Sequence, residues 1–173
     1  MNHPYYTHRK YLIDSLNSLS KNDKINILEF GVGEGSSLVF NEFALKNKNF
    51  NITAFETDHS WLNETKNKYE LDNYKFNYVN NWDELLIPGY FNSEYDLIFV
   101  DQAPWEARIK TIDLLIKKSK TIILHDYDFY NKGVIEDIFD VGKNSFFGKY
   151  LSENISLQGF NEELPPTLIF TKI

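Results

Sequence analysis

A mostly parallel α/β sheet covered by helices on both faces is the fold class this sequence predicts, and three observations predict it. Short apolar stretches alternate with segments of helical periodicity along most of the chain. Those stretches lack the polar alternation of a sheet wetted on one face. Each of them also stops at polar or acidic residues. The expected architecture is a three-layer sandwich around seven strands, the last two pairing antiparallel at one edge because no clear helix separates them.

Tyr11, Leu12, Leu16 and Leu19 fall at helical spacing within His8 to Leu19, which reads as a helix packed on the sheet. After the turn Lys21-Asn22-Asp23-Lys24, the first strand runs from Ile25 to Phe30 and the next helix from Ser37 to Lys46. Asn51 to Glu56 is the second strand, followed by a helix over His59 to Tyr69 that carries Trp61, Leu62, Thr65 and Tyr69. Lys75 to Asn80 is the third, followed by a short helical turn through Leu85 and Leu86 that Pro88-Gly89 breaks. The fourth, Tyr95 to Val100, is the plainest buried strand, and Pro104 suits the first turn of a helix reaching about Lys118. Thr121 to His125 is the fifth, with a helix from about Lys132 to Val141 after it. The tail offers two strands, Tyr150 to Leu157 and Thr167 to Ile173, joined across Glu162 to Pro166 in a hairpin-like connection. No linker or repeat divides the chain, so residues 1–173 are expected to form a single domain.

Composition narrows the function classes. Hydrophobic residues make up 42% of the chain, as in globular proteins. The net charge of −7 and the lack of a basic run give nucleic-acid binding little support. Without cysteine there is no disulfide frame, zinc-thiolate site or cysteine nucleophile. The N-terminus has no apolar signal core and no stretch has the length of a membrane span, so a cytoplasmic protein with no membrane partner is expected. The sequons Asn51-Ile52-Thr53 and Asn154-Ile155-Ser156 are then chance matches.

The chemistry gathers at strand ends. Gly31, Gly33 and Gly35 let the chain turn sharply after the first strand, and a helix starting at Ser36 or Ser37 points free N–H groups over that turn. Glu56, at the tip of the second strand, lies 21 residues beyond Gly35. That separation suits a carboxylate binding ribose hydroxyls. Glu29, Asp58, Asn80, Asn81, Asp101, His125, Asp126 and Asp128 stand at the corresponding ends of their strands. In an open α/β sheet that edge is where ligands bind. The set favours an adenosine-type ligand, either a dinucleotide or S-adenosylmethionine. Gly35 follows Gly33 by only two residues, unlike the dinucleotide pattern, and Glu29 and Glu34 suit a cationic ligand better than a pyrophosphate.

Glu29-Phe30-Gly31-Val32-Gly33-Glu34-Gly35 resembles the first motif of the class I, Rossmann-like S-adenosylmethionine-dependent methyltransferases, over about residues 8 to 128. The resemblance implies that Glu29 lies near the methionine amino end, that Gly31, Gly33, Gly35 and Ser36 wrap the cofactor, and that Glu56 holds the ribose. Thr57 would border the adenine, with Asn81 and Trp82 packing near it, and Asp101 matches the acidic position after the fourth strand. Val100-Asp101, Arg108 and Leu124-His125-Asp126 look like the small-molecule O-methyltransferases, including those acting on sugars. Some of these hold a divalent metal between carboxylates, which would map to Asp101, Asp126 and Asp128 with Mg as the ion. The Asp-Asn pair of the catechol-type enzymes is absent. Without metal, His125 or Asp101 would act as general base, and Asp126 belongs to the same catalytic group. Arg108 either clamps an acidic substrate group or pairs with a neighbour, and Tyr5, Tyr6, His8, Arg9 and Tyr11 either form a lid or cover the sheet. Trp61 and Trp105 read as packing residues, Trp105 being close enough to the Asp101 loop to stay in view. The partner is then a small-molecule acceptor, and a homodimer is compatible with the sequence. Two rivals remain open: a nicotinamide-dependent oxidoreductase, and a non-catalytic cofactor-binding or assembly module.

Overall fold

The computed structural model describes residues 6–132 and 137–173. Helix α1 (Arg9–Leu19) leads into β1 (Ile25–Phe30), α2 (Ser37–Lys46), β2 (Phe50–Glu56), α3 (His59–Tyr69) and β3 (Tyr74–Tyr78). There follow β4 (Tyr95–Val100), α4 (Trp105–Leu115), β5 (Ser119–His125), β6 (Ile155–Phe160) and β7 (Thr167–Lys172). The strands form one seven-stranded sheet in the order β3-β2-β1-β4-β5-β7-β6. Pairs among β1 to β5 are parallel, and β7 runs antiparallel to both β5 and β6. The chain winds outward from β1 to β3, then returns to place β4 on the other side of β1. That reversal leaves a crevice beyond the carboxyl ends of β1 and β4.

Both faces of the central strands are buried, which explains the continuous apolar runs. On one face Ile27, Ile52, Leu97 and Phe99 meet Leu12 and Leu16 of α1, Phe40 of α2 and Leu62 of α3. On the other, Leu28, Phe30, Ile98, Val100 and Ile122 meet Ile112 and Leu115 of α4, with Trp82, Leu85, Phe91 and Phe147 completing the layer. Burial of each such side chain stabilises the fold by about 1.5–3 kcal/mol. Among the described residues, no helix is long and apolar enough to cross a membrane.

Several boundaries differ from the sequence expectation. The sixth strand starts at Ile155 instead of Tyr150, because Phe146–Tyr150 forms a 3-10 turn and Ser152 bridges to Ile155. Phe147 and Tyr150 are pulled inward against Phe170, so aromatic burial decides that segment's conformation. Pro104 caps α4 in an extended conformation instead of lying in its first turn, and the helix tightens to 3-10 over Ile116–Lys118. The helix expected over Lys132 to Val141 falls largely on residues 133–136, outside the described residues, and the flank from Asp137 to Val141 is non-helical. Tyr5 also lies outside the described residues.

Candidate functional site

The glycine turn is fastened on both sides of β1. Gly31 N–H donates to Phe55 O at 3.0 Å and Asp101 N–H to Phe30 O at 2.8 Å, so the ends of β1, β2 and β4 are locked together. Gly31 has φ +81°, and a Cβ there would lie 2.7 Å from the Asp101 carbonyl carbon and oxygen. Gly33 differs: a Cβ there would meet nothing within 4 Å. Gly31 therefore belongs to the frame, whereas Gly33 faces open space.

That space is a cavity of about 550 Å³, lined by Tyr6, His8, Val32, Gly33, Glu34, Gly35, Ser36, Trp61 and Asp101. Its size is that of a small-molecule site. The structure thus brings the N-terminal segment, the glycine turn and the end of β4 to one crevice. Trp61 was not expected there. It occupies the first turn of α3, where side chains lean back toward the helix start, and its indole N–H donates to Val32 O. Its position three residues after the capping Asp58 was the available signal.

Glu29 is wholly buried on the α2 side of β1 and does not line the cavity. Its Oε1 accepts from Ser36 Oγ at 2.6 Å and Ser37 Oγ at 2.9 Å, and its Oε2 accepts from Tyr74 OH. Burial pushes its carboxyl up to about 7 despite those three hydrogen bonds. Glu56 Oε2 accepts from Val32 N–H at 3.1 Å, and Oε1 from the N–H groups of Thr57 and Asp58 at 2.7 and 2.9 Å. The Thr57 hydroxyl also donates to Glu56. The two glutamates shape the turn from below and from the side. Asn81 precedes the 3-10 turn Trp82–Leu86, and Trp82 is buried against Phe30 with its N–H donated to Ala103 O. Neither lines the cavity, so Trp82 is placed as a core residue and not as a ligand platform.

The catalytic and metal candidates are arranged around Arg108. This buried guanidinium donates to Gln102 O at 2.7 Å and His125 O at 2.6 Å, and pairs with Asp101 Oδ1 at 3.1 Å. Its Nη1 lies 3.9 Å from Asp126 Oδ2, which also accepts from Trp105 Nε1 at 2.9 Å. Arg108 thus stands between Asp101 and Asp126, where the sequence reading had expected a metal ion. Asp126 has φ +64° and shares a hydrogen bond with Asp128, whose carboxyl is raised by burial and by the Asp126 charge. The expected Asp101, Asp126 and Asp128 set therefore does not fit a magnesium ion, since a fixed cation already occupies the gap. Arg108, satisfied by backbone carbonyls, is not free to clamp a substrate either.

Asp101 makes one more contact, with His125 Nδ1 at 3.1 Å from Oδ1. Burial alone would raise the Asp101 carboxyl, but the His125 hydrogen bond and the His125 and Arg108 charges outweigh it and hold the group below its usual range. His125 Nε2 lies 3.1 Å from Thr7 Oγ1, whose own proton goes to Pro165 O at 2.7 Å. The His8 ring packs edge-on against His125 with centroids 4.6 Å apart. Burial, then the His125 charge, push His8 down to about 3, so its ring is neutral. Beyond Asp126, Trp105 stacks on Phe129 with centroids 4.1 Å apart, forming an aromatic wall at the rim.

No protein-family model matches the sequence, and no curated protein does. Solved structures do share its fold. A proposed O-methyltransferase of Klebsiella pneumoniae superposes with a TM-score of 0.66 at 13% identity, covering 94% of this chain and 80% of that one. A Podospora anserina methyltransferase bound to SAH gives 0.61 at 16% identity, covering 100% and 89%. An rRNA methylase of Streptococcus thermophilus gives 0.60 at 12% identity, covering 100% and 98%. The chain has the Rossmann-like fold of the class I S-adenosylmethionine-dependent methyltransferases.

Proposed function

We propose that this chain is an S-adenosylmethionine-dependent methyltransferase acting on an oxygen of a small molecule or sugar. The observation that carries the reading is the crevice between the glycine turn and Asp101, at the sheet edge where this fold reverses its winding. The residues present fit the cofactor. Gly33 leaves room for a ligand against the backbone, Glu56 stands beside that backbone, and the adjoining carboxylates suit a ligand carrying a sulfonium and an ammonium. Such a ligand supplies an electrophilic methyl group.

The protein's part is orientation and proton handling. The turn from Val32 to Ser36 fixes one side of the crevice, and Trp61 closes it laterally. Asp101 and His125 form the wall toward which an acceptor hydroxyl would point, and one of them takes the proton that leaves as the carbon–oxygen bond forms. The Trp105 and Phe129 wall and Asp126 border the acceptor's side. The acidic balance of the chain favours a small acceptor over a polynucleotide.

Titration calorimetry with S-adenosylmethionine, with NADH as control, tests this. One saturable site for S-adenosylmethionine and none for NADH is expected. Glu56→Ala should weaken binding at least ~10-fold, the equivalent of one or more hydrogen bonds to a charged group. No binding in the parent chain, or tighter binding of NADH, sinks the reading.

A further inference from the structure

We infer that His8, Asp101 and His125 form a binding site for a divalent transition-metal ion, distinct in its ligands from the all-carboxylate set considered above. One ligand atom from each of the three lies within 4.8 Å of the other two. His8 is 2% exposed, and both of its ring nitrogens are buried without a hydrogen-bond partner. A buried polar nitrogen left so costs about 1–3 kcal/mol, and two on one ring call for a ligand that uses them.

The His125 contacts point the same way. The Thr7 hydroxyl gives its single proton to Pro165 O, so toward His125 it can only accept. Nε2 therefore carries a proton, and this fixes the tautomer in which Nδ1 offers a lone pair. Nδ1 faces Asp101 Oδ1 at 3.1 Å. Two acceptors meet there, and something positive must lie between them, either a second proton or an ion. Ligands about 2.1 Å from a common ion and roughly at right angles stand roughly 3.0 Å apart. The separation thus fits both, and the unpartnered His8 nitrogen favours the ion. Thr7 then plays the part usual beside a metal-bound histidine, accepting the N–H of the ring's far side, and Arg108 does the same for the carboxylate by donating to Oδ1.

Two imidazoles with one carboxylate suit zinc, manganese, iron(II) or cobalt(II) better than magnesium or calcium. The groups facing the site include the Arg108 guanidinium at 3.1 Å from Asp101, which weakens affinity without blocking the Nδ1 and His8 lone pairs. His8 and Asp101 also line the crevice, so an open coordination position would face it. There the ion would lower the pKa of an acceptor hydroxyl. That last consequence rests on the methyltransferase reading, whereas the metal site does not.

The test uses the full chain without any polyhistidine tag and without cofactor, titrated with cobalt(II). One equivalent should bind, with the visible absorption of a four- or five-coordinate nitrogen–oxygen site, and zinc(II) should displace it. His8→Gln, a polar replacement of similar size, should weaken binding at least ~10-fold while far-ultraviolet circular dichroism stays unchanged. Absence of saturable cobalt binding in the parent chain overturns the inference, and so does equal affinity in His8→Gln. Magnesium competing as well as zinc overturns it too. Because no cofactor is present, this outcome is independent of the S-adenosylmethionine titration.

Discussion

Gly31→Ala is expected to destabilise the chain by about 3 kcal/mol or more, while Gly33→Ala, two residues on, leaves stability nearly unchanged. At Gly31 the new Cβ would lie 2.7 Å from two backbone atoms of Asp101 and 2.8 Å from Gln102 N. None of these can rotate away, because Asp101 N–H is bonded to Phe30 O and Gly31 N–H to Phe55 O. Overpacking against fixed backbone costs about 1–3 kcal/mol, and the left-handed φ adds about 1–2 kcal/mol for a residue with a side chain. Against a typical stability of about 5–15 kcal/mol that is a large fraction. At Gly33 a Cβ enters open space, so the stability change should stay within about 0.5 kcal/mol. The same methyl would occupy the proposed cradle and weaken S-adenosylmethionine binding. Urea unfolding and calorimetry on both variants separate the two roles. Equal stability losses would show that the division between frame and cradle is wrong.

This contrast marks how far the sequence could be read. The strands β1 and β4 and the helices α2 and α3 begin and end on the expected residues, because apolar runs bounded by Gly, Asp and Ser declare themselves locally. The edge after Phe160 was legible for the same reason, since Glu162 to Pro166 can only be a turn. Tyr150 was misplaced into a strand because its burial against Phe170 is a long-range contact with no periodic trace. The site divides likewise. That Asp101, His125 and Asp126 share an edge follows from strand order, whereas Arg108 standing between the two aspartates depends on how α4 crosses the sheet. His8 reaches His125 only because the segment before α1 is tied to the β6–β7 turn through Thr7 and Pro165, a contact spanning 158 residues. Nor does a glutamate two residues before a glycine turn announce which face of its strand it occupies. Alternation settles it, since Ile27 and Glu29 face α2 while Leu28 and Phe30 face α4.

That placement gives Glu29 a measurable pH signature. Its carboxyl is held at about 7 when folded against an ordinary 4.5, with burial as the cause. Below the ordinary value both the folded and unfolded chains are protonated, and the contribution to stability is fully present. As pH rises from 4.5 to about 7 the unfolded chain gives up its proton while the folded one keeps it, so stability falls. The loss across this window should be about 3 kcal/mol, and Glu29→Gln should remove it, because the amide cannot ionise and its oxygen can still accept from Ser36 and Ser37. Urea midpoints at either end of the window measure this, and an equal decline in Glu29→Gln would show that another group is responsible. A cationic ligand lying against Ser36 reverses the balance, because positive charge nearby favours the carboxylate. S-adenosylmethionine affinity should therefore rise with pH through the same window in the parent chain and stay flat in Glu29→Gln. An unchanged slope in the variant would mean that the ligand does not sense Glu29. If the slope is lost, the carboxylate that costs the empty protein stability at neutral pH is the one that recognises the charge of its ligand.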